Sequence, residues 1–488
     1  MPEDPQPKYF PLDFWKLFRY SLVRLSKLAS PSNPALETSG VAAPFQADVL
    51  TLFQQLLPAA FFVAALAQAK VRENNRIYNS TVVVWLMIFQ RLHSQGTLEN
   101  AVLELLRGLP RSFWPQPCKR VAEAGVEGGE QLSPETGAYS KARQRLSQSV
   151  VQQCCDQVFQ ELIRQADLAP DRRAAFFLDG TTVLLAHSPD LVETYPPHEN
   201  QNGVSHWPTL RLLVAHDLYT GLAARSEWGP VNGEKQKRVS EQGLLDRIVD
   251  RLPSQALLVA DCNFGVFSVA WAAARYDHPV VLRLTAARAM RLAGGHLQDG
   301  TDRRIQWKPT RDDRRSHPGL PKDACLSGRL IVRQVQPSNG AAFLLALFAT
   351  VEDTVEQAVE LYGKRWNIEL DLRQLKGTLR LEQLTCTSEA MVAKEIDVAM
   401  LSYNLVRAVI YLTALKAGRE PRAFSFTRVR NVLAAFLPRI EAAADERTRR
   451  KLRADMEYYL SRCTLTKRKR RSSARAVWPK PKTYPARH

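Results

Sequence analysis

Two aspartates follow short apolar runs: Asp179 comes after residues 174–178 and Asp261 after residues 256–260. Runs of that length bounded by polar residues read as buried strands, and open α/β sheets place their ligand sites at the carboxyl ends of such strands. Two acids so placed meet at one edge. A third acid, Glu369, lies in the helical stretch Tyr362-Gly363-Lys364-Arg365-Trp366-Asn367-Ile368-Glu369-Leu370-Asp371-Leu372-Arg373-Gln374-Leu375-Lys376. Three convergent carboxylates without His or Cys partners suit a hard, oxygen-loving cation such as Mg²⁺ or Mn²⁺, and the protein need hold only part of each coordination shell. Such a donor set serves two-metal phosphoryl transfer.

Within that stretch Tyr362, Arg365, Glu369 and Lys376 follow one another at offsets of 3, 4 and 7 residues, so one helix face carries all four. Leu361, Ile368, Leu372 and Leu375 mark another face for the core. An acid among Tyr, Arg and Lys on one stripe places a metal ligand beside donors for neighbouring phosphates. A solvated amphipathic face laced with ion pairs four residues apart gives the same pattern.

Two further groups could contact a polyanion. Trp307 is flanked by Arg303, Arg304, Lys308, Arg311, Arg314 and Arg315; an aromatic amid cations can stack an unpaired base while the charges hold phosphates, or it can cover a small β core. Residues 136–146 are helix-compatible and carry Tyr139, Lys141, Arg143 and Arg145, which suits either a backbone-contacting helix or an ordinary cationic surface helix. The nine histidines show no HExxH-like spacing, the seven cysteines no CxxC spacing, and no G-x-S-x-G elbow occurs. Zinc, disulfide and serine-hydrolase chemistry are therefore set aside.

The elements that must position these residues follow from periodicity. Residues 45–168 read as helical, with Thr97 as an N-cap and Glu99 in the first turn behind it, and with a glycine-rich loop near 125–129. From 174 the pattern becomes three strands in meander order, a helix, a strand, a helix and a strand, which is the opening of a ribonuclease H-like α/β fold. Residues 286–333 hold 11 Lys or Arg with Gly and Pro interspersed, and read as a β-rich insertion rather than a continuation of the sheet. A strand returns at 343–348, a long helix runs from about 354 to 380, and further helices follow. The expected organisation is a helical N-terminal region at 1–168, a ribonuclease H-like core at 169–285 and 341–385, a β-rich insertion at 286–340, a helical region at 386–463 and a basic tail at 464–488.

The spacing Y-x2-R-x3-E-x6-K, matched by Tyr362, Arg365, Glu369 and Lys376, resembles the signature of the insertion sequence 4 family of bacterial DDE transposases. Thr136-Gly137-Ala138-Tyr139-Ser140-Lys141-Ala142-Arg143, Asp179-Gly180-Thr181-Thr182, Trp207-Pro208, Trp307-Lys308-Pro309, Met391-Val392-Ala393-Lys394-Glu395-Ile396 and Tyr403-Asn404-Leu405-Val406-Arg407 resemble family blocks in family order, over about residues 80–415. Asp261-Cys262-Asn263-Phe264 departs, since many relatives have Arg and Gly after the second Asp. The resemblance implies Asp179, Asp261 and Glu369 as a catalytic triad binding two Mg²⁺, with Mn²⁺ able to substitute. It also implies Tyr362, Arg365 and Lys376 on transposon-end phosphates, and Trp307 against a flipped base if excision passes through a hairpin. Eighty-two residues separate the first two acids and 108 the second and third; the longer gap agrees with the insertion that this family places there. A dimer on DNA is expected of the family.

Charge points the same way. Sixty-seven Lys and Arg against 49 Asp and Glu leave +18, and the tail from Thr464 to His488 supplies half of it with nine Lys or Arg and no acid. A chain this basic usually faces a polyanion, although a basic enzyme with no nucleic-acid role is compatible with composition. The longest apolar run, residues 56–67, contains Pro58 and is too short to span a bilayer. The opening Met1-Pro2-Glu3-Asp4 lacks the basic start of a secretory signal. The expectation is a cytoplasmic, nucleoid-associated bacterial transposase working on double-stranded DNA; a metal-dependent nuclease without strand transfer, or a non-catalytic DNA-binding descendant, are the alternatives.

Overall fold

The computed structural model describes residues 48–93, 95–124, 131–166, 173–197, 199–200, 203–233, 238–336 and 341–465. The basic tail beyond residue 465 and the glycine-rich loop at 125–129 lie outside the described residues.

The N-terminal region is helical, with α1 (Val49–Leu56), α2 (Ala59–Gln68), α3 (Ser80–Leu92), α4 (Leu98–Arg107), α5 (Gly137–Arg145) and α6 (Gln148–Ala166) as its main elements. Asn79 starts α3 by accepting from the Val82 N–H at 2.9 Å. Thr97 caps α4 through the Asn100 N–H, with Glu99 in the first turn, as its sequence implies. In α6, Val150, Val151, Cys154, Val158, Phe159 and Leu162 recur at helical spacing and all face the core.

The sheet contains β1 (Ala175–Leu184), β2 (Thr209–Asp217), β3 (Glu227–Pro230), β4 (Leu257–Ala260), β5 (Val280–Arg283), β6 (Thr301–Trp307), β7 (Leu326–Val335) and β8 (Phe343–Ala349). Its order is β3-β2-β1-β4-β5-β8-β7-β6. β1, β4 and β5 run parallel, with α7 (Phe267–Arg275) between the last two; the other neighbours are antiparallel. This is a mixed α/β architecture consistent with the expected ribonuclease H-like core. The expectation for residues 286–333 needs correction. β6 and β7 join β8 and extend the central sheet instead of forming separate β structure, and α8 (Ala286–Ala293) precedes them. Local composition could not show this, because pairing with β8 depends on residues that come later in the chain.

A second correction concerns the helix expected over residues 354–380. It is α9 (Val355–Gly363), α10 (Trp366–Arg373) and a wide single turn, Gln374–Thr378, whose hydrogen bonds are spaced as in a π-helix. Gly363, a poor helix former, ends α9, and the chain resumes helically after Lys364 and Arg365.

The C-terminal part comprises α11 (Glu389–Ala417), α12 (Phe426–Glu441) and α13 (Glu446–Ser461). By length and composition α11 could cross a bilayer, as could α1 and α2 taken together across their 53° bend. Most of α11 is instead buried inside the protein. It packs against α3, α6, α12 and α13 and carries buried Lys394, Asp397, Asn404 and Arg407. No long apolar run marks α11 in the sequence because polar residues interrupt it; Lys394, Asn404 and Arg407 find partners distant in sequence. All seven cysteines are unpaired thiols.

Candidate active site

Leu178 lies opposite Ala260 in the parallel pair β1 and β4, so Asp179 and Asp261 occupy the next level side by side. β4 ends there, whereas β1 continues to Leu184 along β2; Asp179 is thus mid-strand, at the point where the parallel pairing stops. Asp179 Oδ1 accepts from the Gly180 N–H at 2.8 Å, and Asp261 Oδ1 from the Asn263 N–H at 2.9 Å. The turn after Asp261 needs Gly265, where a Cβ would overlap the Arg283 carbonyl oxygen on β5. Burial pushes the Asp179 carboxyl up to about 6; the Gly180 N–H and Arg365 oppose this, while the charges of Asp261 and Glu241 add to it.

α10 faces β1 from across this edge. Glu369 does not join the two aspartates as sequence spacing suggests. Its carboxylate pairs with Arg365 at 2.9 Å, and Arg365 lies close enough to Asp179 to influence it. An open cleft of about 350 Å³ is lined by Glu369, Leu372, Arg373, Lys376, Gly377 and Glu382. Glu369 and Lys376 therefore share one cleft, although the break in the helix places Lys376 in the wide turn. Tyr362 ends up buried near Arg283, and burial raises its hydroxyl pKa. Ile368, Leu372 and Leu375 face the core as expected.

A buried ionic layer seats α10. Asp371, 0% exposed, receives Arg407 and, at 2.7 Å, Arg422. Burial pushes its carboxyl up, but Arg422 and Arg407 prevail and hold it below the ordinary carboxylate range. His216 stands 3.7 Å away, pushed down to about 4 by burial and by the two arginines against the pull of Asp371, and stays neutral. Behind α10, the Leu184 N–H donates to Glu382 O, the Leu384 N–H donates to Leu184 O, and Arg91 of α3 donates to the carbonyls of Leu379 and Arg380. Helices from both ends of the chain thus hold the third acid in place. The ionic role of Asp371 and Arg407, and Arg422 altogether, escaped the sequence reading; the signal available was Asp371, an acid on the apolar side of α10.

Other expected contacts divide. Trp307 is 3% exposed, edge-on to Phe348 at 4.7 Å and to Phe267 at 5.9 Å between ring centroids. Its faces are taken by the core, so the base-stacking expectation is replaced by packing. Tyr139 is likewise buried and donates to Gln90 Oε1 at 2.8 Å. Arg143 pairs with Glu395, and Lys394 donates to the carbonyls of Arg143 and Gln144, so two of the sequence blocks meet to fasten α5 to α11. Lys141 remains exposed. Arg303, Arg304 and Lys308 are also exposed on and beside the edge strand β6; Arg303 bonds Leu292 O and Arg304 pairs with Glu352 at 2.8 Å. Trp366, 67% exposed with the Arg365 guanidinium over its ring, presents an aromatic face beside the site.

The donor set suits a hard divalent cation: Asp179 and Asp261 offer only carboxylate oxygen, and their mutual charge raises Asp179. Among the described residues no three His, Cys, Asp or Glu side chains are gathered closely enough to hold an ion as they stand, the third acid being turned to Arg365. Residues 170–405 match the transposase DDE domain family. The chain is 22% identical over 318 residues to the transposase InsG for insertion sequence element IS4 of Escherichia coli (strain K12), covering 63% of this chain and 68% of that protein.

Proposed function

From the premise that this chain is a DDE transposase of the insertion sequence 4 type, we propose that it cuts DNA at the ends of an insertion element and joins the freed 3′ ends to new DNA. The observation that carries this reading is the strand register that sets Asp179 and Asp261 side by side, with α10 bringing Arg365 and Glu369 to the same edge.

Asp179 and Asp261 would hold Mg²⁺, or Mn²⁺ in its place, and Glu369 would complete the set. Two bound ions would supply an activated water or 3′ hydroxyl and neutralise the departing oxygen during in-line attack on phosphorus. The chain's own part is positioning and charge. Arg365 is the hinge of this proposal: a DNA phosphate that takes its guanidinium releases Glu369, so the third carboxylate becomes available when substrate is in place. Lys376 lines the same cleft as Glu369 and offers a second phosphate contact. Tyr362, buried behind them, supports the helix break from which Arg365 projects. If excision passes through a hairpin, the exposed Trp366 is the aromatic that a displaced base reaches at this edge. Lys141, Arg303, Arg304 and Lys308 would add backbone contacts along the surface. Joining two ends at one target calls for a homodimer on DNA, and the bacterial nucleoid is where such a substrate lies.

The test uses duplex DNA carrying one element end, Mg²⁺ or Mn²⁺, and a target plasmid, with nicked, hairpin, cut and joined products resolved separately. Asp179→Asn, Asp261→Asn and Glu369→Gln should each lower cleavage by about a thousandfold or more, as loss of about 4 kcal/mol of barrier lowering requires, while DNA binding persists. Near wild-type cutting by any of the three would remove that residue from the site. Efficient cutting without joining would identify a nuclease instead.

A further inference from the structure

Arg145 has a different fate from its neighbours on α5. Tyr139 and Arg143 are claimed by Gln90 and Glu395, whereas Arg145 ends the helix exposed and lines another cleft, of about 320 Å³. Arg72 and Arg76, from the connection between α2 and α3, line the same cleft, and so do Glu73, Ser80 and Ser147. Glu73 is the one acid of this lining, and it is turned to the start of α3. Its Oε1 accepts from the Ser80 N–H at 2.7 Å and from the Ser80 hydroxyl at 2.6 Å. No carboxylate pairs with Arg72, Arg76 or Arg145 among the described residues. Three guanidinium groups from two segments thus open on one space whose single acid is already engaged.

The backbone that carries them is fixed. Trp114 Nε1 donates to Ile77 O at 2.8 Å and Asn79 Nδ2 to Phe113 O at 2.7 Å, which pins the connection before α3. The Tyr78 ring packs on that of buried Tyr139, with centroids 5.5 Å apart, and so ties this connection to α5. Lys394 holds the last turn of α5 by donating to the carbonyls of Arg143 and Gln144. Long side chains on a held frame close on a ligand without a further cost in ordering the backbone. Ser80 opens α3 and Ser147 immediately precedes α6, so the positive ends of two helix dipoles add to the field of the three arginines. A guanidinium fork matches a phosphate by two parallel hydrogen bonds, and an open, net positive cleft favours a phosphate over an apolar ligand. The cleft is separate from the one that Glu369 and Lys376 share. Ser80 stands at one end of α3, and Arg91, which holds the Leu379 and Arg380 carbonyls, near the other, about 16 Å away at about 1.5 Å per residue. A duplex, with a helical turn of about 34 Å, is long enough to span that interval.

We infer that Arg72, Arg76 and Arg145 form a second DNA contact of this chain, a clamp on backbone phosphates that grips the duplex without reading its bases. The inference rests on the proposal that the chain acts on DNA. The test uses the full chain with chelator present to prevent cutting, and two labelled duplexes of equal length, one carrying an element end and one of scrambled sequence. Affinity is measured between about 50 and 200 mM salt. Arg72→Gln, Arg76→Gln and Arg145→Gln should each weaken both duplexes about fivefold to tenfold at about 0.1 M salt. Each should also lower the slope of log affinity against log salt by about one unit. The loss should be the same for the two duplexes, because phosphate contacts carry no sequence information. Arg145→Lys keeps the charge without the fork, and should restore the slope but only part of the affinity. Arg275→Gln, at an exposed arginine outside the cleft, gives the effect of one lost surface charge and should change affinity much less.

Unchanged affinity and slope in all three variants would overturn the inference. That holds even if inorganic phosphate raises the melting temperature of wild type and not of the variants, which would leave the cleft to a small anion. A loss no larger than that of Arg275→Gln would also overturn it, leaving only general charge, and a loss confined to the end duplex would mean that the cleft reads sequence. Failure of the underlying reading looks different: wild type itself would then bind neither duplex.

Discussion

Glu369 and Asp371 sit two residues apart on α10 in opposite surroundings. Glu369, with 35% of its side chain exposed, has one arginine, Arg365, from the cap of its own helix and an open cleft beside it. Asp371 is fully enclosed and holds two arginines, Arg407 from α11 and Arg422 from the turn before α12. A partly exposed pair four residues apart is worth about 1 kcal/mol or less and can exchange partners. A buried acid between two arginines cannot, because removing one partner strands charge without water. One helix therefore carries an acid free to change partners directly beside an acid that fixes where the helix lies. A catalytic carboxylate needs both, since its own freedom is useful only if its backbone is held.

The largest effect should come from breaking the buried half. Asp371→Ala leaves Arg407 and Arg422 without the carboxylate that balances their charge, and should cost about 3–5 kcal/mol in chemical denaturation. A cost below about 1 kcal/mol would mean that the ionic layer does not seat α10. Trp307→Ala should cost about 3 kcal/mol by loss of a core aromatic, with every DNA step slowed alike as the fold weakens. A variant of normal stability that failed only after nicking would return Trp307 to a role on DNA.

Buried acids without paired arginines should behave in the opposite sense to Asp371. Asp397 on α11 is 0% exposed, its carboxyl oxygens have no hydrogen-bond partner among the described residues, and burial pushes it up to about 8 despite Arg225. A raised carboxyl pKa gives stability that is complete below the unfolded value, near 3.8, and is lost as pH rises toward the folded one. Asp371, held below its ordinary value, gives stability that is present above 3.8 and lost as pH falls through its lowered pKa. The stability of wild type minus that of Asp397→Asn should therefore fall by about 2 kcal/mol or more between pH 4 and 8, measured by denaturant titration at each pH. A difference that is flat or rises with pH would sink the assignment.

The smallest effects belong to the open half. Glu369→Gln and Arg365→Ala should each change stability by less than about 1 kcal/mol. Arg365→Ala should also lower the slope of log affinity against log salt for end DNA by about one unit, as one lost phosphate contact does. An unchanged slope would leave Arg365 as a partner for Glu369 only.

The sequence by itself determined the features that local periodicity encodes. Asp179 and Asp261 are legible because an apolar run ending in an acid is a strand reaching an edge, and the parallel register of β1 and β4 brings them level. Thr97 as a cap and the buried face of Ile368, Leu372 and Leu375 follow from the same short-range rules. What surrounds a side chain is a different matter, since it depends on elements far along the chain. Trp307 reads as a cation-ringed aromatic but is covered by Phe267 and Phe348; Tyr139 and Arg143 read as a basic helix but are claimed by Gln90 and Glu395. β6 and β7 become part of the main sheet only because β8 returns beside β5. Lys376 leaves the helical stripe of Arg365 and Glu369 because the chain takes a wide turn at Gln374–Thr378, and Glu241 lies against Gly180 with Asn263 donating to it. Tertiary structure decided each of these, because burial and charge pairing are set by whichever distant group fills the neighbouring space.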